Sequence, residues 1–159
     1  MSGTRRSSSG SRRRVLAVAS GGGHWVQLLR LRPAFEHCDV EYASVSPDYA
    51  AEVPGRRFHL LPDATRWERR ALLLLAFRAL WLVLCRRPDV IVTTGAAPGL
   101  LALIAGRLVR ARTVWVDSIA NVEEMSLSGR QARRFADLWL TQWEHLAGAE
   151  GPGYEGAVL

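Results

Sequence analysis

The chain has 159 residues, 48% hydrophobic and 23% charged, which excludes a disordered protein and fits one domain with a sizeable core. Its net charge of +6 comes from 21 basic residues, every one an arginine. Arg5, Arg6, Arg12, Arg13 and Arg14 crowd the first fourteen residues, so the remaining body is near neutral, which argues against a nucleic-acid partner.

Residues 1–13 are rich in Ser, Gly and Arg and read as a disordered arm. The arm lacks the apolar core of a secretory signal, so the protein is expected in the cytoplasm. Residues 14–159 read as a single domain. Arg14 to Ser20 is a buried strand that runs into the glycine turn Gly21-Gly22-Gly23-His24, with an amphipathic helix from about Trp25. A strand, a glycine turn and a helix N-terminus make an anion site, because unpaired helix N–H groups and the macrodipole point at the ligand. Val40 to Ser46 alternates apolar and polar residues as a second strand; Ser46-Pro47-Asp48 is a turn and Phe58 to Leu61 a short strand.

Thr65 and Glu68 form a capping box for a helix to about Arg87, stopped by Pro88. Asp89 to Thr94 is a central strand, and Thr94-Gly95-Ala96-Ala97-Pro98-Gly99 is a second glycine-lined turn. Pro98 opens a helix over Leu100 to Val109. Thr113 to Val116 is a strand, followed by the acidic loop Asp117 to Glu124. Ser128 with Gln131 makes a capping box for a helix through Phe135 and Ala136, and Leu138 to Thr141 is the last strand. This alternation predicts an α/β fold, a Rossmann-like parallel sheet with helices on both faces. Ligands of such sheets sit beyond the carboxyl ends of the strands, where the three loops converge.

Between Ala71 and Cys85 every residue except Arg78 is apolar. That stretch covers ~22 Å against a hydrocarbon thickness of ~30 Å, which disfavours a membrane span. It is either a helix buried all round or one half sunk into a membrane interface. Arg66, Arg69 and Arg70 sit at the wrong end for the helix dipole but suit anionic head groups. Trp67 and Trp81 are typical interfacial anchors, so interface contact is favoured, with Leu74 and Phe77 on the same surface. Cys38 and Cys85 have no CxxC spacing and no His pair has metal-ligand spacing, so free thiols, no metal and no cofactor are expected.

Val18 to His24 resembles the N-terminal loop of the MurG-like family of GT-B glycosyltransferases. Asp117-Ser118-Ile119-Ala120-Asn121-Val122-Glu123-Glu124-Met125-Ser126-Leu127-Ser128-Gly129-Arg130 resembles the (D/E)SxxxVExxSLSG(K/R) segment of the acceptor-side subunits of split glycosyltransferases. These include bacterial PssD-type exopolysaccharide proteins and the eukaryotic membrane-anchoring subunit of the dolichol-linked N-acetylglucosaminyltransferase. Thr94 to Gly99 and Leu140-Thr141-Gln142-Trp143 match further landmarks. The resemblance implies the N-terminal half of a GT-B enzyme, peripheral on the cytoplasmic face of a membrane. It would bind a polyprenyl-diphosphate-linked acceptor and be inactive without a separate UDP-sugar-binding catalytic subunit. Carried over, Gly21, Gly22, Gly23 and His24 contact the acceptor diphosphate, while Gly95, Pro98 and Gly99 shape the second loop. Ser118, Asn121, Glu123, Glu124, Ser126 and Ser128 face the acceptor sugar or the partner. The eukaryotic members carry an N-terminal span, where this sequence reads as an arginine-rich polar arm. Membrane attachment is therefore expected to rest on the Trp67 to Cys85 helix and the arm.

His24 is placed for chemistry, since imidazole exchanges protons near neutral pH; it is a general base or a phosphate ligand. Asp117 is a base, an orienting carboxylate or a turn-former. His37, His59 and His145 read as ordinary residues, and Trp139 and Trp143 as packing aromatics. Two other functions stay open: a stand-alone nucleotide-binding module, against which the turn lacks GxGxxG spacing, and a non-catalytic membrane scaffold.

Overall fold

A computed structural model of the chain describes residues 12–64 and 68–158. Seven strands form one parallel sheet: β1 (Arg14–Val18), β2 (Asp39–Ser44), β3 (Arg57–Leu60), β4 (Val90–Thr93), β5 (Arg112–Val116), β6 (Leu138–Thr141) and β7 (Gly153–Tyr154). Their order is β3-β2-β1-β4-β5-β6-β7. From β1 the chain steps outward to β3, then returns through a crossover to β4 on the other side of β1. Val18 is level with Ala43 on one side and Thr93 on the other, so the turns after β1 and β4 leave the sheet side by side. That reversal of strand order is where such folds open a crevice.

Among the described residues four α-helices cover the sheet: α1 (Gly23–Arg30), α2 (Arg69–Arg86), α3 (Ala96–Leu108) and α4 (Leu127–Ala132). Strand periodicity sends alternate side chains of β1 to opposite faces. Leu16 and Val18 join Leu75 and Val83 of α2 and Leu103 of α3 in one core. Val15 and Ala17 join Trp25 and Leu28 of α1 in the other. The predicted fold class is what is observed.

Several local expectations are corrected. β1 ends at Val18 rather than Ser20, although the Ala19 N–H still donates to the Ala43 carbonyl at 3.1 Å. Pro47–Glu52 is a 3-10 helix rather than a bare turn, and it stacks Tyr49 on Trp25 with ring centroids 4.7 Å apart. The cap of α4 is Ser126, not Ser128: its hydroxyl accepts from the Gly129 N–H at 2.8 Å, and the helix stops at Ala132 instead of reaching Ala136. Strand β7, two residues long, has no pattern from which to read it. Thr65 of the other expected cap, Arg66, Trp67 and arm residues 1–11 lie outside the described residues. Just ahead of β1, the Arg13 carbonyl accepts from the Asp39 N–H at 2.9 Å.

Helix α2 is not buried all round. Leu75, Ala79 and Val83, at helical spacing, face the core, whereas Leu73 is 71% exposed and Phe77 and Trp81 are each 60% exposed. Leu74 and Leu84 extend that outward stripe, and Arg69 and Arg70 at its head are exposed. The helix ends where Arg87 turns left-handed (φ 44°) ahead of Pro88. Its last turn is tied to the sheet through Arg86, which donates to Glu41 of β2. Among the described residues no helix is long and apolar enough to cross a membrane.

Candidate functional site at the strand reversal

The turns after β1 and β4 are stitched to each other. His24 Nδ1 lies 2.8 Å from the Thr94 carbonyl, and the Thr94 hydroxyl donates to the His24 carbonyl at 2.6 Å. A carbonyl can only accept, so Nδ1 carries a proton and Nε2 is the nitrogen left for a ligand. The imidazole rests on Gly95, where a Cβ would come within 2.8 Å of the ring. Gly95 (φ 133°) and Ala96 (φ 62°) are both left-handed; for alanine this conformation costs roughly 1–2 kcal/mol. The strained turn brings Ala96 and His24 to the wall of one cleft.

The opposite wall is the loop from Asp117 to Arg130. Asp117 is 1% exposed, and donors surround its carboxylate. Trp115 Nε1 and the Ser126 hydroxyl donate to Oδ1 at 3.1 and 2.7 Å. Asn121 Nδ2 and the Ser126 N–H donate to Oδ2 at 3.2 and 2.8 Å. A Cβ on Gly129 would come within 2.7 Å of Oδ1, which is why the first turn of α4 carries glycine there. These bonds select Ser126 as the cap over Ser128, although Ser128, with Gln131 three residues on, is the one that matches the local box pattern.

A second brace comes from two buried carboxamides. Gln142 Nε2 donates to the Asp117 carbonyl at 2.8 Å and to Gln27 Oε1 at 2.9 Å. Gln27 Oε1 also accepts from the Ile119 N–H, and Gln27 Nε2 donates to the Ser118 hydroxyl, each at 3.3 Å. Trp143 Nε1 donates to the Ile119 carbonyl at 2.9 Å, and His145 Nε2 lies 2.6 Å from the Val122 carbonyl. Trp139 Nε1 donates to the Gly129 carbonyl at 2.8 Å, so the three late aromatic and histidine residues hold the loop.

The resulting cleft of about 370 Å³ is lined by His24 and Ala96 on one side and by Ser118, Asn121, Glu124, Ser126, Ser128 and Arg130 on the other. Gly21, Gly22 and Gly23 flank it without lining it, and Glu123 is exposed outside it. Pro98 and Gly99 are buried behind the second turn, Gly99 packed on Thr93 so closely that a Cβ would overlap its hydroxyl. The Gly22 N–H, one of the expected anion donors, donates to the Tyr49 hydroxyl at 2.8 Å. Gln27, Tyr49, Ala96 and Arg130 were not among the expected site residues. Arg130 closes the motif quoted above and Gln142 sits in another quoted landmark; Gln27, a polar residue between the core residues Trp25 and Leu28, was the remaining signal.

A doubly wound parallel sheet with a polar cleft at its strand reversal defines the class: a Rossmann-like domain of the GT-B kind. The solved structures it is similar to include MurG of Acinetobacter baumannii, with a TM-score of 0.72 at 14% identity, covering 89% of this chain. A UDP-N-acetylglucosamine 2-epimerase from Rickettsia bellii is similar with a TM-score of 0.69 at 14% identity, covering 92% of this chain. The chain spans 45% of the length of each. A family model described as oligosaccharide biosynthesis protein Alg14 like matches residues 69–157, and the chain belongs to that family. Similar proteins are UDP-N-acetylglucosamine transferase subunit ALG14 of Mus musculus, 28% identical over 84% of this chain and 76% of that protein. The subunit of the same name from Eremothecium gossypii is 29% identical over 87% of this chain and 76% of its own length.

Proposed function

We propose that this chain is the acceptor-binding, membrane-recruiting subunit of a two-component UDP-N-acetylglucosamine transferase. It would act on a polyprenyl-diphosphate-linked glycan in polysaccharide biosynthesis, at the cytoplasmic face of a membrane. One observation carries this reading: the stretch by which the sequence resembles acceptor-side subunits, Asp117 to Arg130, is the stretch that walls the cleft against His24. The names of the relatives add the donor and the word subunit.

In this reading the acceptor sugar lies between His24 and the loop, and a second protein presents the UDP-sugar. A hydroxyl oxygen of the acceptor bonds to the anomeric carbon of the donor sugar, UDP leaves with its electron pair, and the hydroxyl proton passes to His24 Nε2. The Thr94 carbonyl orients the ring for that transfer and stabilises the imidazolium that forms. Asp117, with donors on both oxygens, is a positioning residue that shapes the loop rather than a base. Helix α2 lays Leu73, Leu74, Phe77 and Trp81 into the interface while Arg69 and Arg70 meet anionic head groups.

The test is co-expression with the donor-binding partner, purification of the pair, and assay of sugar transfer from UDP-N-acetylglucosamine to a short polyprenyl-diphosphate-linked acceptor. Transfer is expected only with both proteins, and His24→Gln should cut kcat about 10²–10⁴-fold while the pair still forms. Transfer by this chain alone, or tight nucleotide binding with no effect of the acceptor, would overturn the reading.

A further inference from the structure

The cleft needs a cation if a diphosphate is to enter it, and among its described lining residues Arg130 is the arginine. Most other donors nearby are engaged. The Gly22 N–H serves Tyr49, His24 Nδ1 serves Thr94, and the Ser126 hydroxyl donates to Asp117 while accepting from Gly129. The guanidinium of Arg130 is held differently. It donates to Glu124 Oε2 at 2.7 Å, and that acid lines the same cleft. Both side chains are solvated, 46% and 75% exposed, so the pair contributes little and separates readily. A diphosphate, with one negative charge on each phosphorus when both ends are esterified, offers the same guanidinium a doubly charged, bidentate partner.

We propose that Arg130 is the diphosphate-binding residue of the cleft and that Glu124 is its internal placeholder, holding the guanidinium over the cleft and yielding it when the anion arrives. This rests on the acceptor reading and deepens it. The diphosphate is moved from the glycine turn to the wall formed by α4, which leaves His24 free to meet a sugar hydroxyl. The anion is that of an isoprenoid diphosphate; a nucleotide diphosphate offers the same chemistry, and the test separates them.

Calorimetric titration of the whole chain at low salt, with inorganic pyrophosphate, geranyl diphosphate and UDP, decides it. Arg130→Gln should weaken pyrophosphate and geranyl diphosphate about tenfold or more. Glu124→Gln should tighten both a few-fold, because the competitor is gone. The double variant should match Arg130→Gln, since a placeholder has nothing to hold once the guanidinium is removed. Thermal midpoints of all three should stay near the parent, as expected of exposed side chains. A gain from Glu124→Gln that persists without Arg130, an Arg130→Gln variant that binds normally, or UDP depending on Arg130 more than geranyl diphosphate does would each overturn the proposal. If partner-dependent sugar transfer survives such a result, the acceptor reading stands and the Arg130 assignment alone falls. Failure of the parent chain to bind geranyl diphosphate at all sinks both.

Discussion

Helices α2 and α3 are built from similar apolar alphabets and lie against each other on one face of the sheet, yet they serve different ends. In α3 the buried positions are small: Pro98, Gly99, Ala102, Ala105 and Gly106 surround Leu103. Gly99 sits on Thr93, and a Cβ at Gly106 would come within 2.7 Å of the Ile91 Cδ1. Missing side chains let this helix press onto β4 and β5. In α2 the core takes one narrow stripe, and the large residues Leu73, Phe77 and Trp81 face away from it. Small residues thus mark where a helix meets its own sheet, and large ones without a core partner mark where something else must cover it.

That contrast can be broken from the inside outward. Leu75, fully buried in α2, should lose about 2–5 kcal/mol of stability on replacement by Ala, measured by urea unfolding. A loss below about 1 kcal/mol would mean that α2 is hardly anchored. Gly99→Ala forces a methyl onto the Thr93 hydroxyl and should cost about 1–3 kcal/mol, with the second turn displaced; a neutral outcome would show that α3 has slack.

The tie between α2 and β2 tests the comparison through pH. Burial pushes the Glu41 carboxyl up, but hydrogen bonds from Arg86 and His59 outweigh it and leave it below its ordinary value of 4.5, with Arg57 3.9 Å away. A pKa lowered in the folded state contributes stability above its unfolded value, and that contribution fades as pH falls through the folded value. Glu41→Gln should therefore cost about 1–2 kcal/mol at pH 7 and flatten the stability curve below about pH 4.5. Some acid slope remains, because Asp89, bonded by Arg14, and Asp137, whose burial is outweighed by Thr113 and Arg107, are lowered too. An unchanged curve would rule out Glu41 as an anchor. The outer stripe should show the smallest effect on folding and a clear one on lipid. Phe77→Ser with Trp81→Ser should leave stability within about 0.5 kcal/mol and abolish binding to anionic vesicles. Undiminished vesicle binding would remove α2 from the membrane.

Periodicity and punctuation carried most of the fold. β1, β2, β4 and β5 were readable because buried parallel strands are short apolar or alternating runs bounded by glycine, proline or polar turns. The cap of α4 was not, since Ser126 and Ser128 compete locally and the choice is made by Asp117, nine residues upstream of Ser126 and buried. The glycine turn was found as a motif, but Tyr49 reaching across to Gly22 depends on a 3-10 helix that looked like a turn. Gln27 and Gln142 form one bonded pair from residues 115 positions apart, a relation with no local signature. What single-residue patterns express was legible; what distant donors and acceptors arrange was not.

The two hydrogen bonds joining His24 and Thr94 cross the line from which the winding of the chain departs in opposite senses. Each turn is the other's splint, so the floor of the crevice is shaped before any guest comes. Docking there surrenders little backbone freedom, and a displacement of one flank of the sheet is handed at once to its neighbour.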